Sequence, residues 1–221
     1  MTLDTVRVGA RHIPISTAEQ WIAAYFDVEA NKTAAKPYAY PAYDQLAADS
    51  DPNELDNGEL LAATLLTPHF TTRAFLSLQD ARPALHAALA AIPTDLDLTE
   101  AVANGTHTRL IHRFAQLLDG KGLAGVQLTI LVKTLHRKRP RFIPLFDDRV
   151  KSCYWTKTGQ SGYPMQRDRN RAESAFTITF AECVAADLMS QPAVWRHLAS
   201  LAPTGVSELR LLDVLAWNAG G

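Results

Sequence analysis

The 221-residue sequence predicts an all-α fold, a compact helical unit with room for two lobes. Three observations carry that prediction. Apolar residues recur at helical spacing in almost every strongly patterned segment. Caps, prolines and glycines punctuate the borders of those segments. No repeat, low-complexity tract or clear linker divides the chain, so one domain over residues 1–221 is expected.

Ser16-Thr17-Ala18-Glu19 has the spacing of a capping box, with Ser16 capping the first turn and Glu19 reaching back to its amide. Trp21, Ile22, Tyr25 and Phe26 then share one helical face, which is expected to be core. Lys36 to Asp44 cannot be regular helix, because each proline restricts its predecessor to extended conformations. Its three tyrosines are expected to pack over the core edge and keep their hydroxyls wet. Asp51 to Asn57 is turn-like, and Gly58 to Thr67 is helical with Leu60, Leu61, Leu65 and Leu66 inward, stopped by Pro68.

Arg73 to Leu78 matches strand and helix periods equally. From Asp80 a helix is clearer: Asp80 caps it, Pro83 sits in the first turn where a missing N–H costs nothing, and Leu85, Leu89 and Ile92 continue the stripe. Pro93 ends it. Thr106 to Leu118 is amphipathic, with Leu110, Ile111, Phe114, Leu117 and Leu118 on its apolar side, and Asp119-Gly120-Lys121-Gly122 interrupts it. Asp147 or Asp148 caps a helix through Val150, Tyr154 and Trp155, and Gly159 to Pro164 is a loop. Helices over Glu173 to Met189, Pro192 to Leu201 and Ser207 to Trp217 complete the chain.

Composition narrows the function classes. The first fifteen residues lack the apolar core of a signal peptide, and no apolar run approaches the roughly 20 residues of a membrane span. A cytoplasmic protein with no membrane partner is the expectation. Cys153 and Cys183 lack metal-ligand spacing, so two buried free thiols are expected, with neither disulfide nor zinc. No cofactor motif is visible.

The net charge of -1 conceals an asymmetry, because residues 133 to 171 hold eleven Lys and Arg against three acids and are therefore +8, leaving -9 elsewhere. A basic segment on an acidic protein can attract a polyanion, with a solvated surface as the plainer explanation.

Chemistry concentrates in residues 123 to 150. Leu123-Ala124-Gly125-Val126-Gln127 forms a glycine-bearing turn, Leu128 to Arg137 an apolar helix, and Lys133, Arg137, Lys138, Arg139 and Arg141 a cationic run closed by Pro140. Amides at the start of the second helix would be unpaired and suited to an anion. A helix C-terminus attracts cations, which accounts for several of the charges, while the excess suits phosphate. Asp147 follows in Leu145-Phe146-Asp147-Asp148-Arg149-Val150. It has two readings: a helix N-cap, or a carboxylate facing a cleft.

The order of turn, helix and aspartate resembles the helix-hairpin-helix DNA glycosylase superfamily (endonuclease III-like) over about residues 107–155. That family's hairpin typically reads Leu-Pro-Gly-Val-Gly, and its catalytic aspartate lies in a Val-Asp-Thr-His-Val type motif. The resemblance implies a DNA partner, phosphate contacts from Gly125, Gln127 and Thr129 together with the cationic run, and Asp147 as the catalytic residue. Two departures stand out. Gln127 replaces the second glycine, and Thr129 occupies the position of the Schiff-base lysine of bifunctional members, which leaves hydrolysis of the N-glycosidic bond without lyase chemistry. A wider likeness, to an uncharacterised actinobacterial protein family, is carried by His136 to Pro144 with its following Asp, by Ile92-Pro93-Thr94-Asp95, and by Leu209 to Trp217. That family supplies no function. The second functional reading is a non-catalytic helical interaction protein that keeps the scaffold.

Overall fold

The computed structural model describes residues 4–46, 50–67, 69–156, 162–166 and 171–221. The chain opens with an antiparallel hairpin, β1 (Thr5–Val8) and β2 (Arg11–Pro14), in which Val6 pairs with Ile13 and Val8 with Arg11. Val6, Val8 and Ile13 point into the core. Gly9 turns the chain at φ 60°. The all-α expectation therefore missed two strands, each only four residues long and too brief for a period-2 pattern to stand out.

The helices are α1 (Ile15–Phe26), α2 (Val28–Thr33), α3 (Asn57–Ala62), α4 (Thr72–Ala90), α5 (Leu98–Ala103), α6 (His107–Ala115), α7 (Leu128–His136), α8 (Asp148–Tyr154), α9 (Glu173–Ser190), α10 (Pro192–Ala199) and α11 (Glu208–Ala219). Short 3-10 turns extend α3 over Ala63–Leu65 and α6 over Gln116–Leu118. One apolar cluster joins them, running from Val6 and Ile22 through Leu78, Phe114, Leu131 and Phe180 to Leu215. Within it α9 packs on α5 and α6, while α11 packs on α1, α8 and α10.

Several borders differ from the sequence expectation. The first helix starts at Ile15, directly off β2, whose register is fixed when Ile15 N–H donates to Asp4 O at 3.1 Å. Ser16 thus lies inside the first turn and makes no cap; Pro14 holds the capping position without a side-chain bond. Glu19 instead meets His197 of α10 at 2.6 Å. The ambiguous stretch at Arg73 and the helix expected from Asp80 are one helix, α4, capped by Thr71 and burying Ala74, Leu78, Ala81, Leu85, Ala88 and Leu89. Pro83 is exposed inside it, so the carbonyl that loses its partner one turn earlier can face water. Leu61 and Leu65, expected inward, are exposed, and Pro68 and the first half of the loop over Gly159 to Pro164 lie outside the described residues. Cys153 is buried, and Cys183 only half so.

No helix among the described residues is long and apolar enough to cross a membrane.

Candidate active site

The residues expected to form the site lie on and around α7, which is buried from Ile130 to His136, its polar Lys133, Thr134 and His136 included. Gln127 takes its N-cap position in extended conformation, at φ -102°, so the missing second glycine imposes no strain. Gly125 does adopt φ 79°, and a Cβ there would sit 3.2 Å from Ala74 N, which places one side of the turn against the first turn of α4. Ser77 fixes the same contact by donating to Ala124 O at 2.8 Å. Gly125 and Gln127 remain exposed on the other side, and Thr129 is half-buried.

The cationic run turns largely inward. Arg137 pairs with Glu59, a carboxylate only 1 % exposed, and Lys138 Nζ approaches the same carboxylate at 3.1 Å. Lys138 also donates to Ser50 Oγ at 2.6 Å and to Asp51 O at 2.8 Å. Arg139 is itself buried and donates to Ile92 O, Leu89 O, Pro52 O, Lys138 O and Asn53 Oδ1 at 2.6–2.7 Å. Arg141 is exposed and bridges to Asp97 at 2.8 Å. The excess of cations read as phosphate contacts is thus matched, at Arg137, Lys138 and Arg139, by a buried acid and a set of carbonyls. Lys157, Arg167 and Arg169, which contribute to the basic balance, lie outside the described residues.

Lys133 and Asp147 meet. Lys133 is buried, and its Nζ donates to Leu66 O at 2.9 Å and to Asp147 Oδ2 at 3.3 Å. Asp147 caps α8: its Oδ1 accepts from Arg149 N and Val150 N, both at 3.0 Å. The cap leaves Oδ2 to the Lys133 ammonium, and the side chain stays 20 % exposed. In front of it lies a cavity of about 210 Å³, walled by Tyr25, Tyr38, Leu65, Leu145, Val214 and Trp217 and lined by Lys133, Asp147, Arg210 and Asp213. Both readings of Asp147 hold together, as helix cap and as cavity carboxylate.

The far wall comes from α11, where Arg210, Asp213 and Trp217 follow one another at helical spacing on the cavity side. Arg210 donates to Asp44 Oδ1 at 2.7 Å and also holds Asp213 and the Tyr25 hydroxyl. Burial would lower the Arg210 pKa, but Tyr25, Asp213 and Asp44 outweigh it and hold it well above its usual value. Burial raises Tyr25 as well, so its hydroxyl stays protonated. Burial likewise pushes Asp213 up to about 6; Arg210 opposes the shift, and Asp147 and Asp44 reinforce it. Behind this wall, Tyr43 stacks on His136 and donates to Lys133 O at 2.8 Å. Burial and Arg210 hold His136 down at about 4. Exposed cations flank the cavity. Arg149 lies 3.9 Å over the Trp217 ring, and Lys36 precedes the lining residue Pro37.

Sequence reasoning placed Asp147 in this site and missed Tyr25, Tyr38, Arg210, Asp213 and Trp217. A signal for three of them was present, since an arginine and an aspartate three apart, with a tryptophan one turn on, interrupt the otherwise apolar α11. Tyr25 and Tyr38 carried none, because a tyrosine that covers a core edge and one that walls a cavity have the same spacing.

The profile of a family of unknown function, DUF6308, matches residues 18–220, and the chain belongs to that family. No curated protein and no solved structure gives a significant match.

Proposed function

We propose that this DUF6308 chain binds nucleic acid and takes one heterocyclic base into the Asp147 cavity, where it hydrolyses the N-glycosidic bond. The observation that carries this reading is that Asp147, already fixed as the cap of α8, presents Oδ2 to an aromatic-walled cavity with a lysine 3.3 Å away. The cavity is smaller than the roughly 300–1,000 Å³ typical of drug-sized ligands, a scale that suits one base. Tyr25, Tyr38 and Trp217 offer flat apolar walls to such a ring. A base in duplex DNA would have to leave the stack to reach it.

Asp147 stabilises the cationic character that develops on the sugar as the bond lengthens, and it takes the proton of the attacking water. Lys133 restrains Oδ2 through its ammonium. Arg149 and Lys36, exposed cations beside cavity-lining residues, take the flanking phosphates, and the turn into α7 supplies a further contact through Gly125, Gln127 and the half-buried Thr129. Arg137, Lys138 and Arg139 serve the fold.

The test is base release from duplexes carrying deaminated, oxidised or alkylated bases, comparing wild type with Asp147→Asn. Asparagine caps helices as well as aspartate does, so α8 is kept while the charge is removed. The expected result is release by wild type and a loss of at least about 100-fold in the variant. Borohydride is expected to trap no protein–DNA adduct, as hydrolysis requires. No release across the panel, or equal release by both proteins, overturns the reading and leaves Asp147 as a cap in a non-catalytic interaction protein.

A further inference from the structure

Two carboxylates line the cavity, and only Asp147 has so far been given work. Asp213 lines it too, from α11, which packs against α8. One of its oxygens, Oδ2, accepts from Arg210. The other, Oδ1, has no partner among the described residues, and the side chain keeps 12 % of its surface in a residue otherwise buried. The cavity is what that oxygen can face. The two acids also differ in surroundings: Asp147 accepts from two amides and an ammonium, whereas Asp213 has a single guanidinium already shared with Asp44.

Resting on the N-glycosidase reading above, we propose that Asp213 is the second catalytic residue of this site, the acid that protonates the departing base in the cavity it shares with Asp147. As the bond between the sugar and the base nitrogen breaks, its electron pair goes to the base, and the Asp213 proton goes to a ring nitrogen or carbonyl oxygen of that base. Water forms the new bond to the sugar carbon and loses its proton to Asp147. The base leaves neutral and the sugar ends as the hemiacetal. Asp147 then returns its proton to solvent and Asp213 regains one. Two acids with different proton affinities on opposite sides of a scissile glycosidic bond are what such a displacement requires.

The charged and titratable groups facing Asp213 come from several elements. They are Arg210 on its own helix, Tyr25 on α1, Asp44 in the tyrosine loop, Lys133 on α7 and Asp147 at the start of α8. Burial dominates this set and holds the Asp213 pKa up to about 6, so the acid keeps a proton to give in mildly acidic solution. The ligand it selects is a heterocycle with a hydrogen-bond acceptor on the edge that enters the cavity.

Two measurements on wild type, Asp213→Asn and Asp147→Asn decide the assignment. Asparagine retains an oxygen for Arg210, so the wall is preserved. The first is the single-turnover rate from pH 5 to 8 on the substrate released best. Wild type is expected to lose rate as pH rises through about 6, the value at which burial holds Asp213. Asp213→Asn is expected to be slower by about 100-fold at pH 6 and to lack that limb. A variant that keeps the limb overturns the proposal. The second is calorimetric binding of free adenine, hypoxanthine and uracil over the same range. Binding is expected to weaken with rising pH in wild type and Asp147→Asn and to be independent of pH in Asp213→Asn. If wild type releases no base, the N-glycosidase reading fails, and the binding series still judges Asp213. Binding without that pH dependence, or no binding by any of the three bases, overturns it.

Discussion

Arg139 uses all of its guanidinium nitrogens inside the protein: Nε and Nη2 reach Ile92 O and Leu89 O at the C-terminal end of α4, and Nη1 reaches Pro52 O. Those carbonyls lie at the end of α4, where the dipole is negative, so a buried cation there meets partial charges instead of a carboxylate. Lysine has one compact ammonium and cannot span this set. Arg139→Lys is expected to lower stability by about 3 kcal/mol or more, because several buried carbonyls lose their donor at once. Arg141→Ala, which removes an ion pair between side chains 51 % and 40 % exposed, is expected to cost no more than about 1 kcal/mol. Urea denaturation of the two variants checks this, and equal effects would show that Arg139 is not part of the fold's interior. The same pair shows what the sequence could not disclose. Arg139 and Arg141 sit two residues apart in one basic run, yet all but one of the partners of Arg139 are 47 to 87 residues away and are mostly backbone carbonyls, which leave no mark in composition. Asp147 was more legible because an N-cap bonds within three residues of itself.

At the scale of elements, long amphipathic helices such as α6, α9 and α11 were visible from their periodicity, and the β-hairpin was not. Its place in the fold is set by Gly9, where a Cβ would lie 2.3 Å from the Cys153 carbonyl oxygen, the same oxygen that accepts from Ala10 N at 2.8 Å. Gly9 N donates to Asp187 Oδ2 at 2.6 Å, and Arg7 Nε meets the other oxygen at 2.7 Å, so the turn is docked on α8 and α9 together. Gly105 also has a positive φ, 75°, but nothing lies within 4 Å of its would-be Cβ. Alanine at Gly105 therefore meets only the left-handed backbone cost, about 1–2 kcal/mol. Alanine at Gly9 adds overpacking against a backbone atom, typically about 1–3 kcal/mol more. Gly9→Ala is expected to unfold at lower denaturant than Gly105→Ala, and coincident transitions would mean that the hairpin docks without the close approach. Gly9 and Ala10 carry no mark in the sequence of a docking partner 144 residues later.

Over the whole molecule, two buried groups behind and within the cavity give opposite pH dependences of stability. His136 is held at about 4, below its ordinary 6.5, so the unfolded chain takes up its proton first. Its contribution is complete above pH 6.5 and is lost as pH falls toward 4. Asp213 is held at about 6, above 3.8, so the folded chain keeps that proton longer. Its contribution is complete below pH 3.8 and is lost as pH rises through 6. Between pH 4 and 6 the two slopes oppose each other, each of at most about 1.4 kcal/mol per pH unit, and largely cancel in wild type. Asp213→Asn removes one of them, and that variant is expected to lose stability relative to wild type as pH falls from 6 to 4. His136→Asn removes the other, and is expected to gain relative to wild type over the same interval. Other shifted acids, such as Asp187 and Glu208, are common to all three proteins and drop out of the differences. Urea unfolding at half-unit steps of pH measures both differences. Parallel curves for all three proteins would mean that neither burial perturbs titration, and would take with it the assignment of a proton to Asp213 near neutrality. Curves that diverge with opposite signs would show a protonatable acid in the cavity wall and a neutral histidine behind it, the condition under which Asp213 can serve a departing base.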